Sequence, residues 1–182
     1  MSQGENLLLH TCCAPCFIYP STKLKECGHS ITGFFYNPNI HPLIEYQERR
    51  KSLVDYSGKL DLDIIYPAYV PSEFSDALGS ETERPARCCR CWELRLGTTA
   101  QYAKARGFTA FSTTLLVSPY QDQESLKRIG HEIAAKAGVR FYWEDFRPGY
   151  NNARVKAKNL GLYLQKYCGC RYSQDERNKR LS

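Results

Sequence analysis

Hydrophobic positions in this chain form short dense runs, separated by longer charged stretches whose apolar residues recur at helical spacing. That alternation is the pattern of strands linked by amphipathic helices. The first run, Leu7-Leu8-Leu9, is continuous rather than alternating, as a strand covered on both faces requires. Residues 30–36 and 63–67 read as the second and third strands, 108–117 as the fourth with its exit, and 139–143 as the fifth. Residues 19–26, 43–60, 88–106, 123–137 and 152–167 read as helices, with Gly28, Gly107 and Gly138 placed to end three of them. In the 43–60 stretch the apolar positions are Leu43, Tyr46, Leu53, Val54 and Leu60, and residues 71–74 open a shorter helix with Ser72 available as a cap. The order predicts a single α/β domain over 1–182: a five-stranded, mostly parallel sheet, Rossmann-like, with helices on both faces.

At 182 residues the chain is long enough to bury a sizeable core without disulfides. Its net charge of +6 suits a polyanionic partner without requiring one. The basic residues gather at Arg147, Arg154, Lys156 and Lys158 and in a tail over 171–182 with Arg171, Arg177, Lys179 and Arg180, which composition alone makes a solvated face. The start lacks a basic region followed by a long apolar run, and no later run reaches membrane length, so a cytoplasmic location is expected. Thiols there stay reduced, which turns attention to the nine cysteines as metal ligands or redox groups.

Eight of the nine fall into three clusters: Cys12, Cys13 and Cys16; Cys88, Cys89 and Cys91; and Cys168 with Cys170. Cys27 stands apart and is assigned to packing. The first cluster follows the first strand, at the sheet edge where open α/β folds bind ligands. Cys88 and Cys91 are three apart and share a helix face while Cys89 points elsewhere, and Arg84, Arg87 and Arg90 together with a helix start favour thiolate there. Gly169 frees the backbone so that its two flanking thiols can turn to one centre. Three chemistries fit. Zinc on Cys13-x-x-Cys16 and Cys88-x-x-Cys91 leaves Cys12, Cys168 and Cys170 unexplained. A 4Fe-4S cluster takes four thiolates and leaves three for a second metal with an open position. A catalytic dithiol needs only one pair, but no nucleotide or flavin machinery to recycle it is visible.

Five motifs occur in order: His10-Thr11-Cys12-Cys13-Ala14-Pro15, Arg87-Cys88-x-x-Cys91, Ser118-Pro119-Tyr120, Asp145-Phe146-Arg147 and Tyr167-Cys168-Gly169-Cys170. Together they resemble the signature of the QueH-type, cobalamin-independent epoxyqueuosine reductases, over almost the whole chain. The resemblance implies an ATP-pyrophosphatase/HUP-like variant of the fold. It also implies reduction of the epoxide of epoxyqueuosine, at the wobble position of tRNA, to the cyclopentene of queuosine. A 4Fe-4S cluster beside a mononuclear iron comes with it. Carried onto this chain, Cys13, Cys91, Cys168 and Cys170 become the cluster ligands, with Cys12, Cys16 and Cys88 on the lone metal. Some members carry Asp where this chain has Cys16, which fits a ligand position that accepts either group.

Deoxygenating an epoxide needs two electrons and protons for the departing oxygen. Asp145 and Tyr120, at the ends of the fifth and fourth strands, are candidate proton sources, with His10 behind them. The ordinary alternatives are an Asp145–Arg147 pair, a packed Tyr120 and a satisfied core histidine. Tyr36, Asn37 and Asn39, with Arg147, are candidates for holding a splayed base, and the basic tail and last helix can follow phosphates. A low-potential ferredoxin or flavodoxin is the expected electron donor. A second enzyme class, the iron-sulfur tRNA sulfur transferases of the ATP-pyrophosphatase type, needs a Ser-Gly-Gly-x-Asp-Ser loop where this chain has His10-Thr11-Cys12-Cys13. A zinc-stabilised RNA-binding module, holding redox-silent metal, is the non-enzymatic alternative.

Overall fold

Leu7, Leu8 and Leu9 are wholly buried because β1 (Asn6–His10) is the middle strand of the sheet. The computed structural model describes residues 4–180. It pairs β1 on one side with β2 (Ser30–Phe34), which pairs in turn with β3 (Ile64–Ile65). On the other side β1 meets β4 (Ala110–Thr113), followed by β5 (Arg140–Phe141). All pairs are parallel, and the order is β3-β2-β1-β4-β5. Leu8 stands between Thr32 and Phe111, so both of its neighbours come from distant parts of the chain.

Helices α1 (Ala14–Glu26), α2 (Leu43–Gly58) and α6 (Tyr150–Asn159) pack as one layer, with α1 against both others. Helices α4 (Ala86–Ala105) and α5 (Gln123–Ala137) pack together as the other, with α3 (Pro71–Leu78) against α4. The chain winds outward from β1 to β3 and then crosses to β4 and β5, so the connections diverge between β1 and β4. At such a switch point the loops part and leave a crevice at the carboxyl ends of the strands.

The sheet and its parallel pairing are those the sequence predicts, and α5 with its left-handed Gly138 cap (φ 65°) has the predicted limits. Other elements differ. Helix α1 begins at Ala14 rather than at 19, because Pro15 in its first turn has no N–H to leave unpaired. Ser72 caps nothing: α3 starts on Val70 with Pro71 in its first turn. The last predicted helix stops at Asn159, since Gly161 turns left-handed at φ 68° and residues 160–170 run as loop. Most of the predicted tail is instead α7 (Arg171–Lys179), while residues 1–3 and 181–182 lie outside the described residues. Leu43, Val54 and Leu60 are exposed; the buried stripe of α2 runs through Glu45, Tyr46, Arg49, Ser52, Leu53 and Tyr56. Cys27 is exposed at the end of α1 rather than buried in the core.

Truncating the central strand tests this arrangement. Leu8→Ala removes a fully buried side chain with little room for collapse and should cost about 2–5 kcal/mol in urea unfolding.

Candidate metal centre

The chain must turn sharply after β1, and the first cysteine cluster is that turn. Cys13 is extended (φ −176°, ψ 165°) and stands just before α1, so Cys13 and Cys16 both lie at that helix's amino end. Cys12 is fixed from β4's side: its N–H donates to Thr114 Oγ1 at 3.2 Å, and the threonine hydroxyl lies 3.6 Å from its sulfur. The three sulfurs all fall within 4.8 Å of one another, with Cys12 and Cys13 3.6 Å apart, and all three residues are buried. The Gln165 amide donates to Cys16 Sγ at 3.3 Å.

A second set forms where α4 begins. Cys88 and Cys91 lie in its first two turns, and Cys91 packs with Cys170, Phe74 and Leu78. The Cys168 and Cys170 sulfurs are 3.8 Å apart, close enough to Cys88 and Cys91 for charge on Cys168 to act on both. Cys170 is the cap residue of α7, and its sulfur accepts the Ser173 N–H at 3.4 Å. Gly169 sits at φ 127° with Ile40, Asn39 and Arg49 around it; a Cβ would come 3.0 Å from Ile40 Cγ1 and 3.2 Å from Asn39 Nδ2, so only glycine fits. The Cys13 sulfur lies beside those of Cys12 and Cys16, and charge on Cys168 acts on Cys88 as well as on Cys91.

In the first set, hydrogen bonds from Cys13 and then Cys16 hold the Cys12 thiol well below its usual range, against the opposing effect of burial. Burial first, then Cys12, pushes Cys13 up, and hydrogen bonding to Cys12 pushes Cys16 up. The three thiols therefore titrate as one coupled set, with Cys12 the member held lowest. In the second set the hydrogen bond from Cys170, then Ser173, holds Cys168 down at about 5, while Cys170 is pushed up by its bond to Cys168. Burial raises Cys91 to about 11 and also raises Cys88.

Both sets meet a cavity of about 820 Å³ at the crevice between β1 and β4. Cys12, Cys16 and Cys168 line it, with Thr114, Tyr120, Tyr150 and Gln165. Six basic side chains face it, Arg49, Arg84, Arg154, Lys166, Arg177 and Arg180, against a single carboxylate, Glu176. That carboxylate is engaged by Arg87 at 2.5 Å and Arg84 at 3.2 Å, and both help hold it below the usual range.

Tyr120 lines the cavity, is 77% exposed, and meets Tyr150 edge-on with ring centres 6.0 Å apart. The other sequence candidates lie elsewhere. His10 is buried, with Nδ1 2.9 Å from Thr113 Oγ1 and Nε2 near the Tyr36 carbonyl and Arg95. Burial, then Arg95, holds it at about 3, so it stays neutral. Asp145 is clamped by Arg147 at 2.8 and 2.7 Å, which holds its carboxyl low, and neither lines the cavity. Tyr36 donates to Glu73 Oε2 at 2.7 Å, and Asn37 spans Thr11 and Arg95 from a buried position. Asn39 is buried with neither amide atom paired. None of the three lines the cavity.

Sequence reasoning missed two buried arginines. Arg49 bonds Glu45 at 2.7 Å and the Tyr167 and Cys168 carbonyls at 3.0 and 3.1 Å, tying α2 to the Cys168 loop. Arg95 lies one turn after Cys91, a spacing that puts it on the cysteine face of α4.

The chain matches the family described as Epoxyqueuosine reductase QueH over residues 7–176. A relative of that name from Dehalococcoides mccartyi is 38% identical over 175 residues, covering 96% of this chain and 95% of the relative. Another from Thermotoga maritima is 36% identical over 182 residues, covering 96% and 93%. In structure the chain is similar to a predicted subunit of tRNA methyltransferase from Methanocaldococcus jannaschii, with TM-score 0.50 and 11% identity over 84% of this chain and 74% of that one, a likeness of fold alone.

The thiol pattern has a direct chemical readout. In reduced, metal-free protein, iodoacetamide should label Cys168 rapidly at about pH 6 and slow as the pH falls through about 5, where its thiolate is protonated. Cys89, raised by burial, should react only in alkali. Peptide mass spectrometry across a pH series separates the two.

Proposed function

This chain belongs to the epoxyqueuosine reductase QueH family, the oxidoreductases of tRNA modification, and from that membership we propose how its own residues serve the reaction. The substrate is tRNA carrying epoxyqueuosine, and the conversion takes an epoxide, two electrons and two protons to an alkene and water. One observation carries the proposal: two sets of cysteines reach the same basic cavity, one from the end of β1 and one from the Cys168-Gly169-Cys170 loop.

The donor sets suit a 4Fe-4S cluster and a separate metal. Cys88, Cys91, Cys168 and Cys170 supply the four thiolates a cluster takes, and Cys12, Cys13 and Cys16 supply three soft ligands with room for a fourth from the cavity. The unpaired amide of Asn39 beside Gly169 supports this, because a buried donor without an acceptor is rare and cluster sulfur is an acceptor. When bound, the cluster and a mononuclear iron supply electrons and a Lewis acid for the epoxide oxygen.

The remaining work belongs to the chain. Arg84, Arg154, Arg177 and Arg180 hold phosphates at the cavity mouth, and Tyr120 with Tyr150 offers ring surface to an unstacked base. The Tyr120 hydroxyl hands a proton to the departing oxygen. Asp145, held ionised by Arg147, and His10, held neutral below the floor, are left in supporting roles. A low-potential ferredoxin or flavodoxin delivers electrons, and the protein works in the cytoplasm. Among the described residues no helix is long and apolar enough to cross a membrane.

Anaerobically purified protein should hold about five irons and four sulfides per chain and convert epoxyqueuosine tRNA under a low-potential reductant. Zinc without sulfide, after reconstitution as well, would show a redox-silent RNA-binding module instead. Replacing Arg177 and Arg180 with Ala should weaken tRNA binding and flatten its log–log salt dependence by about 0.7–0.9 for each phosphate no longer neutralised. An unchanged slope removes α7 from the interface.

A further inference from the structure

Three arginines are buried among the described residues, and two of them have acids. Arg49 pairs with Glu45 and Arg87 with Glu176. Arg95, 3% exposed, has no carboxylate partner. Its Nε donates to His10 Nε2 at 3.3 Å, its Nη2 to Asn37 Oδ1 at 2.8 Å and its Nη1 to Cys91 Sγ at 3.8 Å. Histidine and asparagine satisfy hydrogens and leave the charge unbalanced. A buried, uncompensated guanidinium is strongly unfavourable, so the balancing charge must come from a group that is anionic in the working protein.

Sulfur is the group within reach. Arg95 touches Cys91 of the second set, and its charge acts on Cys12 of the first. Asn37 holds the guanidinium in place, being itself anchored to the Thr11 carbonyl at 2.9 Å, one residue before Cys12. We propose that Arg95 is the counter-ion of the metal-loaded cysteines, a positioning residue that spans both sets and sets the reduction potential of the centre beside Cys91. The proposal rests on the cofactor assignment above. Four thiolates give a cluster site net negative charge, and each added electron deepens it. A fixed cation at bonding distance from one ligand sulfur eases that addition; without it, reduction is harder.

The test uses the full chain, reconstituted anaerobically, as wild type, Arg95→Lys and Arg95→Gln. Iron and sulfide content comes first: a wild type that binds no cluster overturns the cofactor assignment, and this inference with it. Given a cluster, a potentiometric titration followed by EPR should show Arg95→Gln reduced with at least a tenfold smaller equilibrium constant, about 59 mV more negative for one electron. Arg95→Lys, which keeps the charge but not the three-way fork, should fall between wild type and Arg95→Gln. Arg95→Gln that folds but loses iron, where Arg95→Lys keeps it, supports the same role. Coincident wild-type and Arg95→Gln potentials, or Arg95→Lys failing alongside Arg95→Gln, overturns the inference while leaving the cluster in place. Should Arg95→Gln not fold, pulsed EPR on protein with ¹⁵N-labelled arginine decides: a nitrogen coupling that disappears in Arg95→Lys is expected, and an unchanged coupling sinks it.

Discussion

Negative charge on sulfur is stable inside a protein only where fixed positive charge surrounds it, and that constraint organises this molecule. Each cysteine set stands at a helix amino end: Cys13 and Cys16 at α1, Cys88 and Cys91 at α4, Cys170 at α7. Unpaired N–H groups and the positive end of the helix dipole oppose there the burial that raises Cys13, Cys88 and Cys91. Arg49 and Arg95 add full charges where dipoles alone are weak. The fold is thus a device for aiming three helix starts at one crevice, and the switch point between β1 and β4 is where a parallel sheet permits it.

Much of this is legible in the sequence for a simple reason: strands buried on both faces are written as unbroken apolar runs, and cysteines are rare enough to stand out in threes. Leu7-Leu8-Leu9 and the Cys-x-x-Cys spacings need no tertiary information. What the sequence hides is polar burial. The inward stripe of α2 carries Glu45, Arg49 and Ser52, so a search for apolar periodicity picks Leu43 and Val54, which face solvent. The same blindness hides that Tyr36, Asn37 and Asn39, which read as an open loop, are buried. Helix α7 escapes notice because its nine residues bury only Ser173; it is held by Arg87 gripping Glu176 and by the Cys170 cap, contacts with no periodic signature.

The grouping of the thiols is hard to read for a related reason. Spacing says which cysteines share a helix face, but not which sulfurs meet across the crevice. Cys13 and Cys12 are adjacent in sequence, which argues for separate duties if side chains simply alternate. The turn after β1 breaks that alternation, and Cys13 in extended conformation before α1 brings its sulfur to 3.6 Å from that of Cys12.

Positive charge serves two depths of the cavity differently. At the mouth, Arg84 and Arg180 are exposed, so their attraction for phosphates falls off beyond roughly 8 Å at physiological salt. At the floor Arg49 is buried, as is Arg95 behind the cysteines, and salt screens both little. On the function proposed here, tRNA affinity responds to ionic strength while the charge balance around sulfur does not. A protein that must release its product between turnovers needs the first property, and one that must hold a low-potential centre needs the second. Separating them by depth lets one basic cavity have both.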